Sequence, residues 1–221
     1  MQKGILISNH ELLNDLYSFN LLAFCNVELK ILSNHQEAID FLKREKTQLD
    51  IIISLSQINE VDTPAKVLSW CKEKSLKIPV VIIGEMSKYS NTKRAYTLPP
   101  NLNIPLFVKT CAKILKITAK EMAAKEVPDF YPIPISMLRN FPTAPCDIFI
   151  KIGRTGPYEY SQAMGEGEVL RPNDKLDSYK DDGIGNFYIP SQKRLNIVNQ
   201  ASKIVLDTLD DPKLSDQDKI A

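Results

Sequence analysis

Short apolar runs alternate with amphipathic stretches through the first 120 residues. "GILIS" (4–8), "VELKILS" (27–33), "LDIIISL" (49–55), "IPVVIIG" (78–84) and "AYTLP" (95–99) have the length and composition of strands. The third and fourth are apolar almost throughout, the pattern of strands buried on both faces. Helical patterns lie between them. Residues 11–24 place Leu12, Leu13, Leu16, Tyr17 and Phe19 at helical spacing. Residues 34–46 open with Asn34 as N-cap and Glu37 as its capping-box partner. Residues 63–74 carry Pro64 in the first turn, where a missing N–H is tolerated. Residues 104–126 read as one long helix, with Ile104, Phe107, Val108, Cys111, Ile114, Leu115 and Met122 as its stripe. The stretch 85–94 is too polar and too short for a full helix, so an irregular connection is expected. Strands alternating with helices, with the strands apolar on both faces, predict an α/β fold. Five such units fit a flavodoxin-like, doubly wound, five-stranded parallel sheet over residues 1–125.

Beyond that point the pattern changes. Residues 126–145 hold five prolines and read as a linker leading into a second domain, with "YPIPI" either linker or edge strand. "CDIFIKIG" (146–153) reads as a strand, Ile148, Ile150 and Ile152 alternating against Asp147, Phe149 and Lys151. "YEYSQAMGEGE" (158–168) pairs with it through the turn "RTGP". A short helix (171–183), a strand (186–190) and a helix (191–210) follow, the last with Leu195, Val198, Ala201, Val205 and Leu209 turned inward. These elements predict a smaller α+β domain with an antiparallel sheet at 146–210, then a frayed polar tail at 211–221.

Composition narrows the function. The 221 residues are 43% hydrophobic and 25% charged, with a net charge of +1. This ordinary globular balance offers no extended basic surface, so neither nucleic acid nor membrane insertion is expected. No apolar leader is visible, and a cytoplasmic location is expected. The four cysteines, Cys25, Cys71, Cys111 and Cys146, lie far apart with no metal spacing and read as buried free thiols. "RTGPYEY" and "GEGE" lack the strand–loop–helix context of a phosphate cradle and read as hairpin turns. Tyr158 and Tyr160 share one strand face, as sheet packing or as a contact surface. The chain has two histidines, His10 and His35, and no cofactor, metal or catalytic set is assigned.

The strand ends carry the most informative residues. Asn9 and His10 follow the first strand, Leu55 ends the third, Gly84 follows the fourth, and Leu98 precedes Pro99 after the fifth. Element order, lengths and these landmarks resemble a response-regulator receiver domain. In that family the matching positions hold an acidic pair for Mg²⁺, a phosphate-accepting aspartate, a serine or threonine, and a lysine. Asn9 and His10 offer no carboxylate, Leu55 no nucleophile and Leu98 no cation, and phosphoryl transfer needs all three. Asp50 starts the third strand about 16 Å away at about 3.3 Å per residue, and Ser54 points to the opposite face from Leu55. The resemblance therefore implies a phosphorylation-incompetent pseudo-receiver that works through its surfaces. The face such domains use for dimerisation corresponds to about 85–120, with Tyr96, Pro99 and Phe107 as interface candidates. "YPIPISML", "CDIFIKIG", "YEYS" and "FYIPSQKRLNIVNQ" loosely resemble the small adaptor that precedes HD-GYP domains in some response regulators. HD-GYP enzymes hydrolyse cyclic di-GMP at a centre of histidines and aspartates, which two histidines in the first domain do not supply. The expected function is non-enzymatic: signalling by protein–protein interaction, as a homodimer. The alternatives are a small-ligand or nucleotide-second-messenger sensor, with the ligand in the vacated pocket or between the domains, and the regulatory front of a longer cyclic di-GMP phosphodiesterase.

Overall fold

The computed structural model of the chain describes residues 1–44, 49–84, 87–100, 103–118, 120, 128–153, 158–170 and 174–210. The chain divides into two compact units, Met1–Ala124 and Lys125–Lys219.

The first unit contains β1 (Gln2–Ile7), α1 (Glu11–Cys25), β2 (Val27–Leu32), α2 (His35–Arg44), β3 (Ile51–Leu55), α3 (Thr63–Glu73), β4 (Val80–Ile83), β5 (Ala95–Leu98) and α4 (Ile104–Ile114). All strand pairings are parallel, in the order β2-β1-β3-β4-β5. This is the doubly wound flavodoxin-like order, with its switch point between β1 and β3. The continuous apolar runs have the expected consequence: Ile51 to Ile53 and Val80 to Ile82 are fully buried. One face packs Ile5, Ile7, Ile52, Val80 and Ile82 with Val67 and Cys71 of α3, and Trp70 adds to that cluster. On the other side of the sheet α1 meets α4, where the rings of Tyr17 and Phe107 lie 4.6 Å apart. Gly4 lets three strands close up. A Cβ there would lie 2.7 Å from Ile51 Cγ2 and 2.8 Å from Leu29 Cδ2.

Local chemistry sets the helix limits. Asn34 Oδ1 accepts the Glu37 N–H at 3.0 Å, while the Glu37 carboxylate reaches back to the Ser33 N–H at 3.0 Å. The box thus closes one residue earlier than the pattern suggests. Asp62 caps α3, and Asn103 caps α4 by accepting the Leu106 N–H at 2.9 Å. Of the long helix expected over 104–126, α4 covers Ile104–Ile114 and is closed there; residues 119 and 121–126, with Met122 of the expected stripe, lie outside the described residues. Lys116 adopts φ +56°, and the Ile117 N–H donates to the Ala112 carbonyl at 2.8 Å. That is a six-to-one C-terminal closure, made here without glycine, so the apolar stripe gave no warning of it. The connection expected to be irregular holds, among its described residues, one 3₁₀ turn, Ser87–Tyr89.

The second unit contains β6 (Phe130–Pro134), α5 (Ile135–Leu138), β7 (Ile148–Ile152), β8 (Glu159–Met164), α6 (Asp174–Asp181), β9 (Asn186–Pro190), a 3₁₀ turn (Ser191–Lys193) and α7 (Arg194–Asp210). The sheet is antiparallel, in the order β6-β9-β7-β8. Of the two readings of "YPIPI", the edge strand is the one observed, so folded structure begins inside the stretch read as linker. Pro132 and Pro134 have no N–H to donate, and an edge strand is where a sheet tolerates that. The β7–β8 hairpin is present, although its turn, 154–157, lies outside the described residues.

Two inward residues were misplaced by pattern. Ile152 is 49% exposed: it ends β7, beyond Phe149, where β7 pairs with β9. Leu195 is 38% exposed while Val198, Ala201 and Val205 are buried. At about 3.6 residues per turn, Leu195 sits about a quarter turn from the centre of that stripe. Ile197 is buried in its place.

Candidate functional site

The carboxyl ends of β1, β3, β4 and β5 share one end of the parallel sheet, where open α/β folds form their crevice. After β1, the buried Ser8 hydroxyl accepts the His10 N–H at 3.1 Å. His10 Nδ1 in turn faces the Leu13 N–H at 3.5 Å and caps α1. Partial burial holds the His10 imidazole below its ordinary pKa, partly offset by a hydrogen bond to its own backbone. Asn9 is exposed and donates to Asn59 Oδ1 at 3.3 Å, in the turn where Asn59 and Glu60 both take positive φ.

β3 ends on Ser54 and Leu55. Ser54 is fully buried, and its hydroxyl donates to the Leu55 carbonyl at 2.9 Å. Leu55 is half-buried and packs on the core cluster of Ile52, Val67 and Ile82. The side chain set against the end of β4 is that of Ser56, one residue on. The Ser56 N–H donates to the Ile83 carbonyl at 2.8 Å, and the Gly84 N–H to the Leu98 carbonyl at 2.9 Å. A Cβ on Gly84 would fall 2.6 Å from Ser56 Cβ and closer still to the Ser56 hydroxyl. Gly84 also has φ +136°, which side chains disfavour, so glycine is required twice over. Leu98 is 6% exposed and offers only an apolar surface. Asp50 remains at the opposite end of β3, where its Oδ2 accepts the Lys3 N–H at 2.8 Å.

Beside this end lies a polar knot that sequence reading did not single out. Asp62 Oδ1 accepts the Ala65 N–H at 3.0 Å. The same carboxylate accepts from Lys88 Nζ and from the Tyr89 hydroxyl. Partial burial pushes the Asp62 carboxyl up, but the hydrogen bonds from Lys88, Tyr89 and Ala65 outweigh it and hold it below its ordinary value. The one sequence signal was Asp62 itself, an N-cap type directly before "TPAK". Its partners 26 and 27 residues on carry no local signal.

The interface candidates separate by exposure. Tyr96 is 42% exposed on β5, and Pro99 lies at the rim of a cleft of about 10 Å³ with Tyr17, Leu98, Leu106 and Phe107. That cleft holds about one water molecule. Phe107 is corrected: at 2% exposure against Tyr17 it is core, and Leu106, 38% exposed, takes its place on the surface. In the second unit Tyr158 is 47% exposed beneath Lys151 Nζ, which lies 3.2 Å from its ring centroid. Tyr160 is half-buried and stacks on Phe130 at 4.3 Å. The four cysteines are free and buried. Burial pushes the thiols of Cys71 and Cys146 up to about 11 and that of Cys111 higher still, which leaves little thiolate near neutral pH. Among the described residues, no group of three or more His, Cys, Asp or Glu is placed to hold a metal ion, and no helix is long and apolar enough to cross a membrane.

No family model matches this chain, and no curated protein does. Among solved structures it is similar to the receiver domain of the hybrid histidine kinase CckA, with 17% identity over 51% of this chain and 98% of that one and a TM-score of 0.43. The signal receiver domain of a putative Luxo repressor protein from Vibrio parahaemolyticus matches at 18% identity, over 57% and 98% of the two chains, with a TM-score of 0.45. A response regulator receiver domain protein from Clostridium thermocellum matches at 14% identity, over 56% and 99%, also at 0.45. The strand order and register of the first unit define its fold class independently of these likenesses.

Proposed function

We propose that the chain is a signalling adaptor of the two-component type whose receiver-like unit does not accept a phosphoryl group on aspartate. The observation that carries this reading is the contact of Ser56 with Gly84. A hydroxyl side chain fills the end of the sheet, and the space for any side chain at 84 is gone. Around it, Asn9, His10, Leu55 and Leu98 supply neither the nucleophilic carboxylate nor the cation that phosphoryl transfer requires. Output then runs through surfaces rather than chemistry. Tyr96 and Leu106 are exposed large apolar side chains on β5 and α4, and they are the docking face of this reading, used for homodimerisation and partner binding in the cytoplasm.

The test is direct. Incubation with acetyl phosphate and Mg²⁺ should leave the intact mass unchanged, and a gain of one phosphoryl group on an aspartate would overturn the reading. Sedimentation over a concentration series should show a reversible dimer that Tyr96→Asp abolishes.

A further inference from the structure

Asp62 serves two segments at once. One is its own helix, α3, which it caps. The other is the connection between β4 and β5, which supplies Lys88 and Tyr89 from its 3₁₀ turn. The Tyr89 ring is 6% exposed and belongs to the same core cluster as Ile58, Val67 and Ile82. A ring buried that far needs a partner for its hydroxyl, and the Asp62 carboxylate is one. From Tyr89 the backbone continues the restraint. The Thr92 N–H donates to the Tyr89 carbonyl at 2.9 Å, and the Ala95 N–H to the Thr92 carbonyl at 3.1 Å. Ala95 opens β5, and Tyr96 is the next residue. The other end of the connection is held at Gly84 by its bond to Leu98 and by the packed Ser56 side chain.

We infer that Asp62, Lys88 and Tyr89 form a latch that fixes residues 87–94 of the β4–β5 connection, and with them the start of β5, in one conformation. The latch replaces an on–off switch with a permanent state, so the surface around Tyr96 is presented continuously. That consequence rests on the docking face proposed above; the latch itself rests on the geometry of the three side chains. Lys88 alone is no anchor, since its side chain is 60% exposed and a solvated ion pair contributes little. The buried Tyr89 ring supplies position, and the carboxylate selects that position.

The atoms involved allow the two roles of Asp62 to be separated. Ala65 N–H and the Tyr89 hydroxyl both approach Oδ1, while Lys88 Nζ approaches Oδ2. Asp62→Ser keeps a good N-cap but is too short to reach the connection. Tyr89→Phe keeps the buried ring and removes its hydroxyl. Hydrogen exchange of the full-length chain, read by mass spectrometry, measures the result locally. In Asp62→Ser the amides of 87–98 should exchange about tenfold faster or more, as expected for losing hydrogen bonds to a charged group. In Tyr89→Phe the same amides should speed up less. Amides of α3 and β1 should be unchanged in both. Exchange at 87–98 within about twofold of wild type in Asp62→Ser would overturn the latch. So would an equal rise across α3, which would reduce Asp62 to a helix cap. Dimer formation is measured on the same samples with Tyr96→Asp added. If that variant dimerises as wild type does, the docking-face reading fails while the exchange result still decides the latch.

Discussion

The two sheets of this chain solve the same burial problem in opposite ways. The parallel sheet of the first unit is covered by helices on both sides, so successive residues of its central strands, Ile5 to Ile7, Ile51 to Ile53 and Val80 to Ile82, are apolar and fully buried. The antiparallel sheet of the second unit buries Tyr131, Ile133, Phe187 and Ile189, while the alternate positions Phe130 and Tyr188 remain half-buried. That second face is closed by its own rings. Phe130 stacks on Tyr160 and meets Phe149 edge-on at 4.8 Å, and Tyr160 meets Tyr188 at 5.1 Å. Burial by helices makes every strand position expensive to change; burial by a layer of aromatics makes one face critical and the other tolerant.

Equivalent substitutions should expose that difference. Phe187→Ala empties the helix-covered side of the second sheet and should destabilise that unit by about 4 kcal/mol. Trp70 is the chain's single tryptophan and belongs to the first unit, so its fluorescence transition in urea should not move in that variant, while the tyrosine near-UV signal should. A coincident shift of both signals would mean that the units unfold together. Ile53→Ala, in the parallel sheet, should move the tryptophan transition by about 3 kcal/mol. Phe130→Ala removes one half-buried ring from the aromatic layer and should destabilise by about 1.5 kcal/mol. Ile152→Ala, the same residue type as Ile53 but half exposed, should stay within about 0.5 kcal/mol. A large loss at Ile152 would show that this end of β7 is covered in solution.

The smallest effect is electrostatic. The Asp62 carboxyl has a lower pKa in the folded state than in the unfolded chain, where about 3.9 is usual. Its contribution to stability is therefore present above that value and lost as pH falls through the folded-state value. Carboxyl ¹³C shifts should show Asp62 titrating below the ordinary aspartate value of about 3.9, and Lys88→Gln should raise it.

Sequence was most informative where one physical rule acted alone. The β-branched runs at 51–53 and 80–83 had no alternative to a doubly covered sheet, and Asn34 and Pro64 obeyed local helix-start chemistry. It was least informative where two rules competed or where the partner was remote. Lys116 ends α4 through a left-handed turn that lysine seldom adopts, against an unbroken apolar stripe. Ile152 and Leu195 kept the expected period but lie at the margin of what is covered, Ile152 at the end of β7 and Leu195 about a quarter turn from the buried stripe of its helix. Prolines left β6 readable as either linker or edge strand, and the same prolines explain why it is an edge. At the candidate site, a single-residue step at the end of β3 decided whether Leu55 or Ser56 met Gly84, and no pattern in one sequence carries that step. Tyr89 was hidden for a different reason: its partner is 27 residues away.

The packing of Ser56 on Gly84 also bears on the order in which substitutions can accumulate. A side chain introduced at 84 collides with Ser56 unless 56 has already become smaller, and even then it must adopt a backbone angle of +136°. Gly84→Ala should therefore be severely destabilising in the present background and only partly relieved when combined with Ser56→Gly. Any substitution that adds a side chain at 84 must be preceded by a change at position 56. Through this pair of residues the tolerance of one position depends on the identity of the other.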